Sequence, residues 1–384
     1  MSRVRPEDGG GMAPAATAPP PAPPAPPPAR RRAGPAPGGG ARRSVRHLGP
    51  NWYATVMGTA ILATAGAEVA PGAPLLWRVL WSLSLVVLVV LVAARARHWR
   101  RHPDQARAHL DDPAVAPFYG CLAMALLAVG GGAATLGPDV LGTPGGVRLG
   151  LVLWVLGTLV GLVVAVGVPY RLAAAARRSG RRPTPVWLLT VVPPVVSAAT
   201  GPLFVPHLPT PARQPLLFGC LVLLGAGVLG TLVLLPPVCA ALVATGGPPL
   251  ALTPTLFLVL GPLGQSTTAL DRIAEESGSP GWGAFTVVYG VPVLGFAVCW
   301  LVAATALVVR ARRRGMRFTM AWWSFTFPVG TCVTGAAALA DRTGSAGYRV
   351  LAVLLYAGLA AAWAVAAART AREVALGRLP AAPR

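Results

Sequence analysis

In the run FTMAWWSFTFPVGTCVTG (residues 318–335), Trp323, Phe327, Thr331 and Thr334 recur at i, i+4, i+8 and i+11, one face of a helix. Gly261, Gln265 and Thr268 do the same in GPLGQSTTAL (261–270), as do Thr190, Pro194, Ser197 and Gly201 between 185 and 204, and Thr55 and Thr59 in NWYATVMGT. These faces carry hydroxyls, one amide and small residues, and no charge. Such a lining hydrogen-bonds an anion weakly without trapping it, the chemistry of a polar but neutral passage. The same residue types also mediate close helix packing. Other constellations are poorer. His98 and His102 stand at i, i+4 spacing among five arginines, and Asp111 and Asp112 read as loop charges. The five cysteines (Cys121, Cys220, Cys239, Cys299, Cys332) lie in apolar runs without paired spacing, which fits small buried hydrophobes rather than disulfides or a zinc site. No nucleophile–base pair, metal centre or cofactor motif is expected, so an embedded enzyme is the weakest reading.

The elements that must hold these faces are membrane spans. The chain is 54% hydrophobic and 12% charged, with a mean hydropathy of +0.61, outside the range of soluble domains. Apolar runs at 51–68, 75–94, 114–136, 148–168, 185–204, 215–236, 252–270, 284–309, 318–340 and 347–369 predict an all-α polytopic membrane protein of ten transmembrane helices, joined as five hairpins around a central pore. Residues 1–47, with the tract APPPAPPAPPPARRRAGPAPGGG, form a low-complexity arm that cannot bury a core. The transport domain is expected over 48–372, with a short tail at 373–384.

All 33 basic residues are Arg, giving a net charge of +21. Their placement is informative. Eight lie in the arm, five each at 95–107, 171–182 and 310–317, and four after the last span. Six single arginines face the other side (Arg78, Arg148, Arg213, Arg272, Arg342, Arg349), where Glu68, Asp139, Asp271, Glu275, Glu276 and Asp341 balance them. The positive-inside rule puts both termini in the cytoplasm, so topology explains the charge and no nucleic-acid partner is expected. The Arg-only, Ala/Gly/Pro-rich composition points to a GC-rich bacterial genome, hence the bacterial plasma membrane. No ionisable residue falls near the centre of a span, although pumps and embedded enzymes usually keep one there.

Prolines inside spans concentrate on the odd-numbered ones (Pro193 and Pro194, Pro262, and Pro328), with Pro292 in the eighth as an exception. They are expected to kink these helices, and a freed carbonyl is tolerated in a bilayer only against protein or a water-filled cavity. NWYATVMGTAIL (51–62), GPLGQSTTAL (261–270) and FTMAWWSFTFPVGTCVTG (318–335) resemble the first, seventh and ninth helices of the tellurite-resistance/dicarboxylate transporter family, which includes anion channels, malate permeases and sulfite efflux pumps. WWSFTFP is the most specific element, and GPLGQ leans toward the sulfite and malate branch. The resemblance covers about residues 50–370. It implies a ring of five hairpins with odd helices lining the pore, usually as a homotrimer, and a gating phenylalanine that maps onto Phe327. Pro328 would then bend the helix and hold that ring across the axis. The expected function is export of a small anion (sulfite, a C4-dicarboxylate such as malate, or an inorganic monoanion). A proton-coupled malate symporter is the alternative.

Overall fold

The computed structural model describes residues 48–179 and 182–377; among these, every regular element is helical. The arm expected at 1–47 lies outside the described residues, as do 378–384. Among the described residues, six segments are long and apolar enough to cross a membrane. Five are the long helices α2 (Pro74–Arg101), α6 (Thr143–Ser179), α8 (Thr210–Thr245), α10 (Pro280–Arg313) and α12 (Ala346–Ala375). At most 33% of the most apolar window of each is buried. Their outward faces carry exposed Leu, Val and Phe such as Val163, Leu232 and Val288, a surface suited to hydrocarbon or another apolar partner rather than water. The sixth segment, Ala116–Thr135, is 78% buried and belongs to the interior.

That interior consists of shorter helices: α1 (Tyr53–Val69), α4 (Tyr119–Thr135), α7 (Val192–Thr200), α9 (Leu260–Ser277) and α11 (Phe327–Thr343). Each contacts the next, α1 to α4 to α7 to α9 to α11 and back to α1, in a closed cycle. The long helices lie outside this cycle, each packed on the inner helix that precedes it in the chain. Two short helices, α3 (Pro103–Asp111) and α5 (Pro138–Leu141), are connectors.

Every inner helix is preceded by a 3-10 segment: Pro50–Trp52, Ala116–Phe118, Pro185–Thr190, Leu250–Val259 and Met320–Phe325. This corrects the sequence-based view of the prolines. Pro328 and Pro193 occupy the first turns of α11 and α7. Pro194 and Pro262 are the third residues of α7 and α9. There the amide has no intrahelical acceptor, so proline starts an α-helix instead of bending a continuous one. Among the described residues, the prolines inside α-helices are Pro169, Pro215, Pro236, Pro237 and Pro292, all on outer helices, while Pro206 and Pro254 sit inside 3-10 segments.

Indole N–H groups from outside tie the layers together. Trp81 on α2 donates to the Val129 carbonyl (3.1 Å), Trp154 on α6 to the Ser197 carbonyl (2.9 Å), and Trp300 on α10 to the Leu256 carbonyl (2.8 Å). Trp363 on α12 donates to the Thr59 hydroxyl at 2.9 Å. Within the cycle glycines permit close contact, Gly264 and Gly58 among them. A Cβ on Gly264 would enter the backbone of Thr331 and Cys332, and one on Gly58 would meet the Thr326 hydroxyl and approach Trp323 to 3.0 Å.

Candidate functional site

The inner helices enclose a cavity of about 190 Å³, bordered by residues from α1, α4, α7, α9 and α11. Phe327, 2% exposed, borders it as the first residue of α11. Gly58 packs against Thr326, and Ile61 against Gly330, so Phe327 is level with the middle of α1. The cavity extends from there toward the helix C-termini, where Glu68 and Arg272 border it. On α9 the lining residues Gln265, Thr268 and Arg272 follow one face at i, i+3 and i+7, about 10 Å of helix.

Polar groups along this path differ in what they have left to offer. The hydroxyls of Thr268 and Thr334 meet at 2.7 Å across α9 and α11. Thr268 also lies 3.2 Å from the Gly264 carbonyl, and Thr334 lies 3.1 Å from that of Thr331. Two hydroxyl protons serve three contacts, so neither threonine has an idle donor. Gln265 is different. It is 5% exposed and its amide oxygen is fully enclosed without a hydrogen-bond partner. A buried polar group left unpaired destabilises a fold by about 1–3 kcal/mol, and an amide oxygen only accepts, so beside this cavity it offers a place to a hydrogen-bond donor such as water or a protonated oxyanion.

The face expectations divide. Gln265, Thr268, Thr334 and Phe327 come together at the cavity. Thr55, Thr59, Thr190, Ser197, Gly261 and Thr331 do not border it. The Thr55 hydroxyl donates to the Trp52 carbonyl (2.8 Å), Thr190 to that of Trp187 (2.8 Å), and Thr331 to that of Pro328 (2.7 Å). Thr59 donates to the Thr55 carbonyl at 2.7 Å and accepts from Trp363, and Ser197 accepts from Thr158 of α6 at 3.0 Å, so both turn toward outer helices. Gly261 has only Val192, at 3.9 Å, near the place a Cβ would take. Trp323 packs outward, donating to Thr370 at 3.0 Å.

Sequence reasoning placed Glu68 and Arg272 among scattered loop charges and did not connect them with the site. The signal was there: Arg272 continues the stripe through Gln265 and Thr268, but the seventh span was drawn only to residue 270.

A family model described as voltage-dependent anion channel matches residues 47–371. The chain belongs to the voltage-dependent anion channel family. It is similar to an uncharacterized transporter of Methanocaldococcus jannaschii, at 25% identity over 76% of this chain and 83% of that one. It is also similar to a sulfite efflux pump of Arthroderma otae, 25% identical over 85% of this chain and 91% of the pump. A sulfite efflux pump of Trichophyton rubrum matches at 24% over the same shares. The family drawn from the motifs at 51–62, 261–270 and 318–335 therefore holds. As a voltage-dependent anion channel family member with six segments, among the described residues, apolar and long enough to cross a membrane, the protein is a multi-pass membrane protein.

Proposed function

We propose that this protein exports small anions, of the class of sulfite, malate or inorganic monoanions, through the cycle of inner helices, with Phe327 as the gate. Five inner elements and five outer helices would make ten crossings, with the arginine-rich loops and both termini in the cytoplasm of a bacterial cell. The observation that carries this reading is a cavity enclosed by all five inner helices, lined by hydroxyl and amide groups and bordered by a buried phenylalanine. The sulfite pumps among the relatives support the choice of anion class. An inside-negative potential of 100 mV is worth about 2.3 kcal/mol per charge, so an uncoupled monoanion passage runs outward. Arginines at 95–107, 171–182 and 310–317 raise the local anion concentration at the inner mouth.

The test is proteoliposome flux of chloride, nitrate, sulfite and malate in parallel with the potential clamped. Phe327→Ala is expected to raise flux on the order of tenfold by clearing an apolar constriction. Unchanged flux in a correctly folded variant rejects the gate. Accumulation against the anion's own gradient, driven by a pH gradient, would instead favour the proton-coupled symporter. The homotrimer expected from the family belongs to the same proposal, and native mass measurement in detergent checks it.

A further inference from the structure

The outer end of the cavity, away from Phe327, is where its two charged lining residues meet. Arg272 donates through Nη2 to Glu68 Oε1 at 2.8 Å and through Nη1 to the Ala199 carbonyl at 3.1 Å. One guanidinium thus joins the C-terminal ends of α1, α7 and α9. The pair is not sealed away, with side-chain exposures of 19% for Arg272 and 35% for Glu68. Neighbouring charges have partners of their own: Asp271 with Arg342 (2.6 Å), Asp341 with Arg349 (3.5 Å), and Asp139 with Arg78 (2.8 Å). Arg272 is therefore the one cation in the cavity lining and Glu68 the one anion.

We propose that Arg272 is an anion-capture site at the outer mouth and that Glu68 is its tethered competitor, holding the guanidinium until a free anion displaces it. The inference rests on the anion-passage reading above. A planar guanidinium can match two oxygens of a carboxylate or oxyanion, whereas Glu68 meets it through Oε1 alone. The ligand class is accordingly an anion with two or more oxygens, such as sulfite or malate, in preference to a halide. Paired, Arg272 and Glu68 sum to zero, so the mouth gives little attraction to anions outside the cell. An anion moving outward past Gln265 reaches the same guanidinium about two helical turns later and leaves when Glu68 returns. Glu68 thereby weakens capture from outside and speeds release, a bias toward export built from one carboxylate.

Concentration-dependent flux of sulfite and of chloride in proteoliposomes of the full chain tests this, with wild type, Phe327→Ala, Glu68→Gln, Arg272→Gln and the double variant Glu68→Gln/Arg272→Gln. Glu68→Gln is expected to lower the half-saturating sulfite concentration by about fivefold, the scale of a partly exposed ion pair, and to change chloride less. Adding Arg272→Gln should abolish that gain. If Phe327→Ala raises flux while Glu68→Gln leaves half-saturation at the wild-type value, the tethered-competitor role is overturned and the passage stands. If neither variant changes flux, the passage reading fails and takes this inference with it. Should Glu68→Gln not fold, Glu68→Asp, which retracts the carboxylate by one methylene, is read instead and should shift sulfite half-saturation in the same direction.

Discussion

Gln265 and Phe327 do opposite things at the cavity. Phe327 fills space with a ring that makes no hydrogen bonds, and Gln265 leaves a buried amide oxygen unsatisfied. A group held at a loss to stability is removed at a gain. Gln265→Leu is therefore expected to keep or raise thermal stability, by up to about 1–2 kcal/mol, while lowering anion flux. A melting curve beside a flux assay separates the two, and a large loss of stability would show that the amide is structural. Thr268 and Thr334 bond each other across α9 and α11. Thr268→Val is expected to destabilise by about 0.6 kcal/mol, the mean for such bonds between membrane helices.

The recurring element is a 3-10 segment that becomes an α-helix, five times over, with proline in the first turn of α7, α9 and α11. An interior proline costs about 3 kcal/mol, so replacing one should stabilise by a similar amount. At a helix start no bond is lost, and Pro328→Ala is expected to change stability by less than about 1 kcal/mol. A gain near 3 kcal/mol in unfolding free energy would restore the kinked-helix view. The tryptophan ties make the converse prediction. Trp300→Phe leaves the buried Leu256 carbonyl without its donor and should cost about 1–3 kcal/mol. Gly264→Val should do more damage than either, because its side chain has only the α11 backbone to enter.

The described residues form a cycle of buried helices inside an apolar sheath, and the charge along the chain is uneven. The six single arginines (Arg78, Arg148, Arg213, Arg272, Arg342, Arg349) are matched in number by six acidic residues, whereas the 95–107, 171–182 and 310–317 segments carry a large basic excess. The sheath can be read chemically. Cys299 on α10 is exposed and Cys239 partly so, while Cys121, Cys220 and Cys332 are buried. An apolar maleimide applied to the folded protein in detergent is expected to modify Cys299 first. Mass spectrometry should find the three buried thiols modified only after unfolding; early labelling of Cys332 would contradict the packing of α11 on α9.

The sequence by itself determined the lipid-facing character of the chain, the segments in which its arginines gather, and the family. Each is additive over local residues: hydropathy sums along a run, charge sums along a loop, and WWSFTFP or GPLGQ is contiguous. It also determined that Gln265, Thr268, Thr334 and Phe327 lie on faces worth watching, since helical period is a local property. Tertiary structure alone decided which faces meet. Thr59 and Ser197 share the composition of Thr268 yet turn to Trp363 and Thr158 of the outer layer. Pro328 reads as a kink until the 3-10 segment before it makes it a helix start. The pairing of Glu68 with Arg272 spans 204 residues. No pattern within a single helix contains it, because the distance between two side chains on different helices is set by how all five inner helices pack.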